Sequence, residues 1–181
     1  MKKETKKRIK SFSLDVIDFF LGIPESVIYA FDRKEFYRIL RGNPHENVLT
    51  CVNIAQLISN LKRSGYIEID KIGGQESVRF TDKAKLAIVD RIAERSAVDN
   101  RNRFVSFDIP ERLRQSRDQF RRTIKRLGFV QIQKSLWVCD KNIGNLVELA
   151  AKEYGVEDYV VYIVSEKTNI DSTISKILLE K

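Results

Sequence analysis

The stretch TCVNIAQLISNLKRSGYIEIDKIGGQESVRF, residues 50–80, decides the fold. Ile54, Leu57, Ile58 and Leu61 recur at i, i+3, i+4 and i+7, the spacing of one helix face, and predict a helix over about 50–64. Gly65 then reads as the residue just past the helix end. Tyr66–Ile72 alternates Ile67 and Ile69 with Glu68 and Asp70, Gly73-Gly74 reads as a hairpin turn, and 76–80 as the returning strand.

Working outward on the N-terminal side, Ile9, Phe12, Val16, Phe19 and Phe20 predict a helix over 5–21. Asp32-Arg-Lys-Glu35 reads as a capping box opening a helix through Leu40. On the C-terminal side Thr81 caps a helix to about Arg95. Three helices, a hairpin and a helix make a winged helix-turn-helix, with the third helix entering a DNA major groove and the hairpin as wing.

Residues 96–102 are polar and aperiodic and read as a linker. Beyond them come a strand (103–109), an Arg-rich helix (111–126), two strands (129–133 and 135–139), a helix from Asn142, and a strand (159–164): β-α-β-β-α-β, a ferredoxin-like pattern. Ile174, Ile177 and Leu178 give the tail a helical spacing. The expectation is an α+β chain with a winged-helix domain at 1–95, a linker at 96–102 and a ferredoxin-like pairing domain at 103–181.

The formal charge is +8, which favours polyanionic partners through counterion release. It is concentrated in two places. Residues 1–10 hold six basic residues and one acid, and residues 101–126 hold nine and three. Cys51, Cys139 and a lone His45 do not make the four-ligand set of a structural zinc site. Two unframed thiols fit a reducing cytoplasm. No apolar run is long enough to span a membrane, and the basic N-terminus lacks the apolar core of a secretory signal.

If the apolar stripe of 50–64 faces inward, its outer face carries Gln56, Ser59, Asn60 and Arg63, with Asn53 at the flank. Amides bond adenine edges and arginine bonds guanine, each through paired hydrogen bonds, so this face is the candidate base reader. The wing offers Lys71, Gln75 and Arg79, groups more often used on phosphate. A second candidate nucleic-acid surface is Arg112, Arg114, Arg117, Arg121 and Arg122, with Lys125 and Arg126 beyond; Glu111, Asp118 and Glu148 are the acids that would neutralise some of these. Asp108, at the end of an apolar strand, is a candidate Mg²⁺ ligand, especially if a two-fold axis pairs it with its copy; the alternative is a helix cap or an arginine partner.

Arg103-Phe-Val-Ser-Phe-Asp108-Ile-Pro110-Glu111, Arg114-Gln-Ser-Arg117-Asp118-Gln-Phe120-Arg121, Leu127-Gly128-Phe129 and Gln133-Lys-Ser135-Leu-Trp137-Val resemble the PaaX-type transcriptional repressors. The central domain of that family in turn resembles the CRISPR-associated Cas-two family. Leu61-Lys-Arg-Ser-Gly65-Tyr-Ile and Phe80-Thr81-Asp-Lys resemble the PaaX-type winged helix. The resemblance implies a cytoplasmic, homodimeric repressor on double-stranded operator DNA, without a cofactor. It also implies a third, acyl-CoA-linked domain, which is not expected here because the sequence ends at Lys181. The Cas-two side implies the alternative: a Mg²⁺-dependent nuclease using Asp108, or a non-catalytic DNA-holding subunit working with other CRISPR-associated proteins.

Overall fold

The computed structural model describes residues 13–19, 31–32, 54–72 and 74–179. The fold is α+β with antiparallel sheets, and the chain divides into two compact units, 1–88 and 89–181. The expected helix at 32–40, Asn53, Cys51, His45 and the basic N-terminal ten residues lie outside the described residues.

In the first unit residues 13–19 are helical (α1). Next come β1 (Phe31–Asp32), α2 (Ile54–Arg63), β2 (Ile67–Ile72), β3 (Gln75–Phe80) and α3 (Asp82–Ala87). Helix α2 ends in a Schellman closure at Gly65, which takes φ +70°: Gly65 N–H donates to Lys62 O and Tyr66 N–H to Leu61 O, both at 2.9 Å. The same carbonyl end is tied to α3. Thr81 Oγ1 donates to Gly65 O at 2.6 Å and accepts the N–H of Ala84, so one hydroxyl closes one helix and opens the next. Leu57, Ile58 and Leu61 of α2 are buried, as are Ile67, Val78, Phe80, Ala84, Leu86 and Ile88.

The hairpin pairs Ile67 with Phe80 through Ile72 with Gln75. A third strand, not anticipated, completes the sheet in the order β1-β3-β2, with Phe31 opposite Val78 and Asp32 opposite Ser77. Asp32 thus sits in a strand, although the sequence reads it as a helix cap; two residues carry no periodicity that would reveal one.

The second unit begins with α4 (Val89–Arg95). The sequence suggests one helix from Thr81 to Arg95, but the helix breaks at Ile88, whose N–H bonds Lys85 O, three residues back, in a tightened turn. Then follow β4 (Val98–Phe107), a 3₁₀ turn (Glu111–Leu113), α5 (Arg114–Arg126), β5 (Val130–Gln133), β6 (Leu136–Lys141), α6 (Gly144–Glu153), β7 (Val160–Ser165) and α7 (Asp171–Leu179). All neighbours in the sheet β5-β6-β4-β7 are antiparallel.

Residues 98–102, expected as linker, are the outer half of β4. They are mostly exposed and contain Asn100 at φ +57° and a register shift against β6, so they lack the alternation that marks a half-buried strand. Their anchor is Arg103, which is 2% exposed. Its guanidinium donates to both carboxylate oxygens of Asp99 and to Arg101 O at 2.7 Å. The Arg103 hydrogen bond holds the Asp99 carboxyl below the usual carboxylate range.

On one face of the sheet Phe107 stacks near Trp137 and meets Phe120 of α5 edge-on at 5.2 Å. On the other, Phe104 and Val138 are covered by Ile174 of α7. No helix among the described residues is long and apolar enough to cross a membrane.

Candidate nucleic-acid interface

With Leu57, Ile58 and Leu61 committed to the core, helical geometry turns Gln56, Ser59, Asn60 and Arg63 to the other side. Gln56, Ser59 and Arg63 are exposed and Asn60 is half-buried. Three of them are linked: Asn60 Oδ1 accepts from Gln56 Nε2 at 3.1 Å and from Arg63 Nη2 at 2.8 Å. The bonds run along i, i+4 and i, i+3 and order the three side chains as one row. Neither bond consumes Gln56 Oε1, and Arg63 keeps the rest of its donor fork. No acid lies in the first turn, and Lys62 and Arg63 lie in the last. The row offers donors and acceptors, and α2 itself carries no acid to repel a phosphate.

On the hairpin, Lys71 is exposed in β2 and Gln75 pairs by backbone with Ile72. Arg79 is engaged. It faces Glu68 across the ladder and hydrogen-bonds its carboxylate, with Asp70 at 3.7 Å on the same side. This exposed trio adds little stability. It does mean that Arg79 reaches a phosphate only by leaving two carboxylates.

The arginines around α5 divide by what they touch. Arg112 donates to Tyr159 Oη at 3.0 Å, and Arg117 to Glu111 at 2.9 Å and to Ile109 O. Arg126 bonds Asp90 of α4 at 2.7 Å. These three fasten the helix to its surroundings. Arg121 is half-buried, with its Nε enclosed and lacking an acceptor. Arg114 has only a 3.7 Å approach to Glu111, and Arg122 is exposed with no ion pair among the described residues. Lys125 lies over the Trp137 ring, 5.8 Å from its centre. Of the acids flagged in the sequence Glu111 is used. Asp90 and the Tyr159 hydroxyl were not flagged, because their partners lie 36 and 47 residues away along the chain.

Asp108 is exposed just past β4, and its N–H donates to Tyr159 O at 3.1 Å. Among the described residues no three His, Cys, Asp or Glu side chains gather as a metal-holding group. Cys139 is fully buried, and its sulfur accepts the Lys141 N–H at 3.4 Å.

Residues 95–177 match the family described as the PaaX protein central Cas2-like domain, and the match lies wholly within the second unit. No curated protein and no solved structure matches the chain. Over residues 95–177, then, the chain is similar to the central Cas2-like domain of the PaaX proteins.

Proposed function

We propose that this protein is a sequence-specific, double-stranded DNA-binding transcription regulator, a repressor acting as a cytoplasmic homodimer. In this reading the first unit is a winged helix-turn-helix, with α2 in the major groove and the β2–β3 hairpin as wing, and the second is a ferredoxin-like pairing module. The observation that carries it is the outer face of α2: an acid-free row of Gln56, Asn60 and Arg63, pre-ordered by two hydrogen bonds and opposite a buried apolar stripe. A row of this kind reads base edges at little ordering cost, because its side chains are already held. The β1-β3-β2 sheet and the family match over 95–177 support the same reading. Ser59 and Asn53 extend the proposed reading face; Lys71 and Gln75 are the proposed phosphate contacts of the wing, with Arg79 joining once it leaves its acids.

The test begins with selection of duplexes from a random library by the full chain. Each of Gln56→Ala and Arg63→Ala should lower discrimination between the selected duplex and a scrambled one by about 1–3 kcal/mol. Equal discrimination in both variants would remove α2 as the reading element. Sedimentation of the complex with a two-fold-symmetric site should give the mass of one duplex plus two chains of 21.1 kDa each.

A further inference from the structure

We infer that the outer face of α5, centred on Arg114 and Arg122, is a second nucleic-acid surface that grips the phosphate backbone of duplex DNA without reading its sequence. The inference rests on the reading above only in taking duplex DNA as the partner; the site lies in the other unit.

The argument is one of subtraction. Among the α5-region cations, Arg112, Arg117 and Arg126 have partners that explain them, and Lys125 covers Trp137. That leaves Arg114 and Arg122 as the exposed remainder, with Arg121 half-buried and its Nε enclosed. Arg114 has a side chain 71% exposed and reaches Glu111 only at 3.7 Å. Its position is electrostatically wrong for a structural arginine. It lies in the first turn, where the helix dipole disfavours a cation, that turn contains no acid, and no side chain caps the helix. An anion bound there would relieve both the dipole and the charge. Arg122 lies eight residues on, about 12 Å along the axis and close to the same face, comparable with the width of a major groove. Asp118 between them is the one acid on that line. Two exposed guanidinium forks at that separation fit phosphates on either side of a groove, and arginine binds phosphate through paired hydrogen bonds. A base-reading role is disfavoured, since of the two amides of α5 only Gln115 is exposed and Gln119 is half-buried.

The experiment measures affinity of the full chain for two duplexes of equal length, one selected and one scrambled, between 50 and 200 mM salt. Each phosphate contact contributes about 0.9 to the slope of log affinity against log salt. The double variant Arg114→Gln/Arg122→Gln should lower that slope by about 1.8 for both duplexes and leave their affinity ratio unchanged. Arg114→Lys/Arg122→Lys should restore most of the slope. An unchanged slope in the Gln variant, with its melting temperature retained, overturns the inference. So does a loss confined to the selected duplex. Should the Gln variant fail to fold, a Lys variant with a slope reduced by about 1.8 would also contradict phosphate binding, because lysine keeps the charge. If Gln56→Ala/Arg63→Ala abolishes discrimination while the α5 variant is unchanged, only this inference falls. If the α5 slope drops while the α2 variant keeps full discrimination, only the α2 reading falls. A wild-type chain that binds neither duplex removes both.

Discussion

Helices α2 and α5 both turn a buried apolar stripe inward and a polar face outward, yet the two faces are built differently. On α2 the outer side chains bond one another: Gln56 and Arg63 meet on Asn60. Around α5 the charged side chains bond outward, Arg117 to Glu111, Arg126 to Asp90 and Arg112 to Tyr159, leaving Arg114 in a loose 3.7 Å pair with Glu111, Arg121 half-buried and Arg122 exposed. A row held by its own members keeps its shape with its remaining donors and acceptors free, as base reading needs. A helix pinned by some of its cations leaves the others to act as point charges, which is what a phosphate backbone takes. Composition alone would rank α5 first as a nucleic-acid surface; the bonding pattern is what separates the two proposed roles.

The largest effect that sharpens this contrast is Phe120→Ala. Phe120 is fully buried beneath the arginines of α5 and meets Phe107 edge-on. Removing it should cost about 3–5 kcal/mol, read by denaturant unfolding of the full chain. A cost below about 1 kcal/mol would mean that α5 does not seat on this sheet. Next is Asp99→Ala. Arg103 is 2% exposed and held by a carboxylate, with its Nε enclosed. Stranding it should lower stability measurably, though by less than breaking a wholly buried pair, because Asp99 keeps 39% of its side-chain exposure. Arg122→Gln, by contrast, should leave stability within about 0.5 kcal/mol. If the two changes cost the same, sorting arginines by contact is wrong. Third, Gly65→Ala should cost about 1–2 kcal/mol by forcing a side chain into the left-handed region, without a clash, since the added carbon would meet only Lys83 at 3.6 Å. It should loosen the α2 row, seen as faster amide exchange at the C-terminal end of α2.

Among the described residues the elements that follow their periodicity were legible: the stripe at 54, 57, 58 and 61, the alternation at 67–70 and the Gly65 stop match helix, strand and closure. The reading missed where the physics is not periodic. The strand at Phe31–Asp32 is two residues long and is defined by its partner. The outer half of β4 is solvated, and the break at Ile88 has neither glycine nor proline to announce it. For the site, the exposed face of α2 followed as the complement of its apolar positions. The sorting of the α5 arginines did not follow, because Asp90 and Tyr159 are brought to them by the fold and not by spacing. Arg103 reads in the sequence as one more basic residue; only its burial beside Asp99 separates it from the rest.

The smallest effect tests whether a pinned arginine becomes an available one. Burial alone would push the Asp90 carboxyl up. The hydrogen bond and charge of Arg126, with the backbone N–H groups of residues 90 and 91, outweigh it and hold it below the usual carboxylate range. A carboxyl whose pKa is lower folded than unfolded stabilises the fold above the ordinary carboxylate range, and that contribution is lost as pH falls through the lowered value. The pair is exposed on both sides, 41% for Arg126 and 52% for Asp90, so it contributes no more than about 1 kcal/mol and its loss on acidification is shallow. Asp90→Asn should therefore lower stability by less than about 1 kcal/mol at neutral pH and flatten the stability profile below about pH 4. It should also remove one contact of Arg126 at the end of α5, raising the salt slope of DNA binding by at most about 0.9. A flatter stability profile with an unaltered slope would mean that Arg126 does not reach the DNA once this carboxylate is gone.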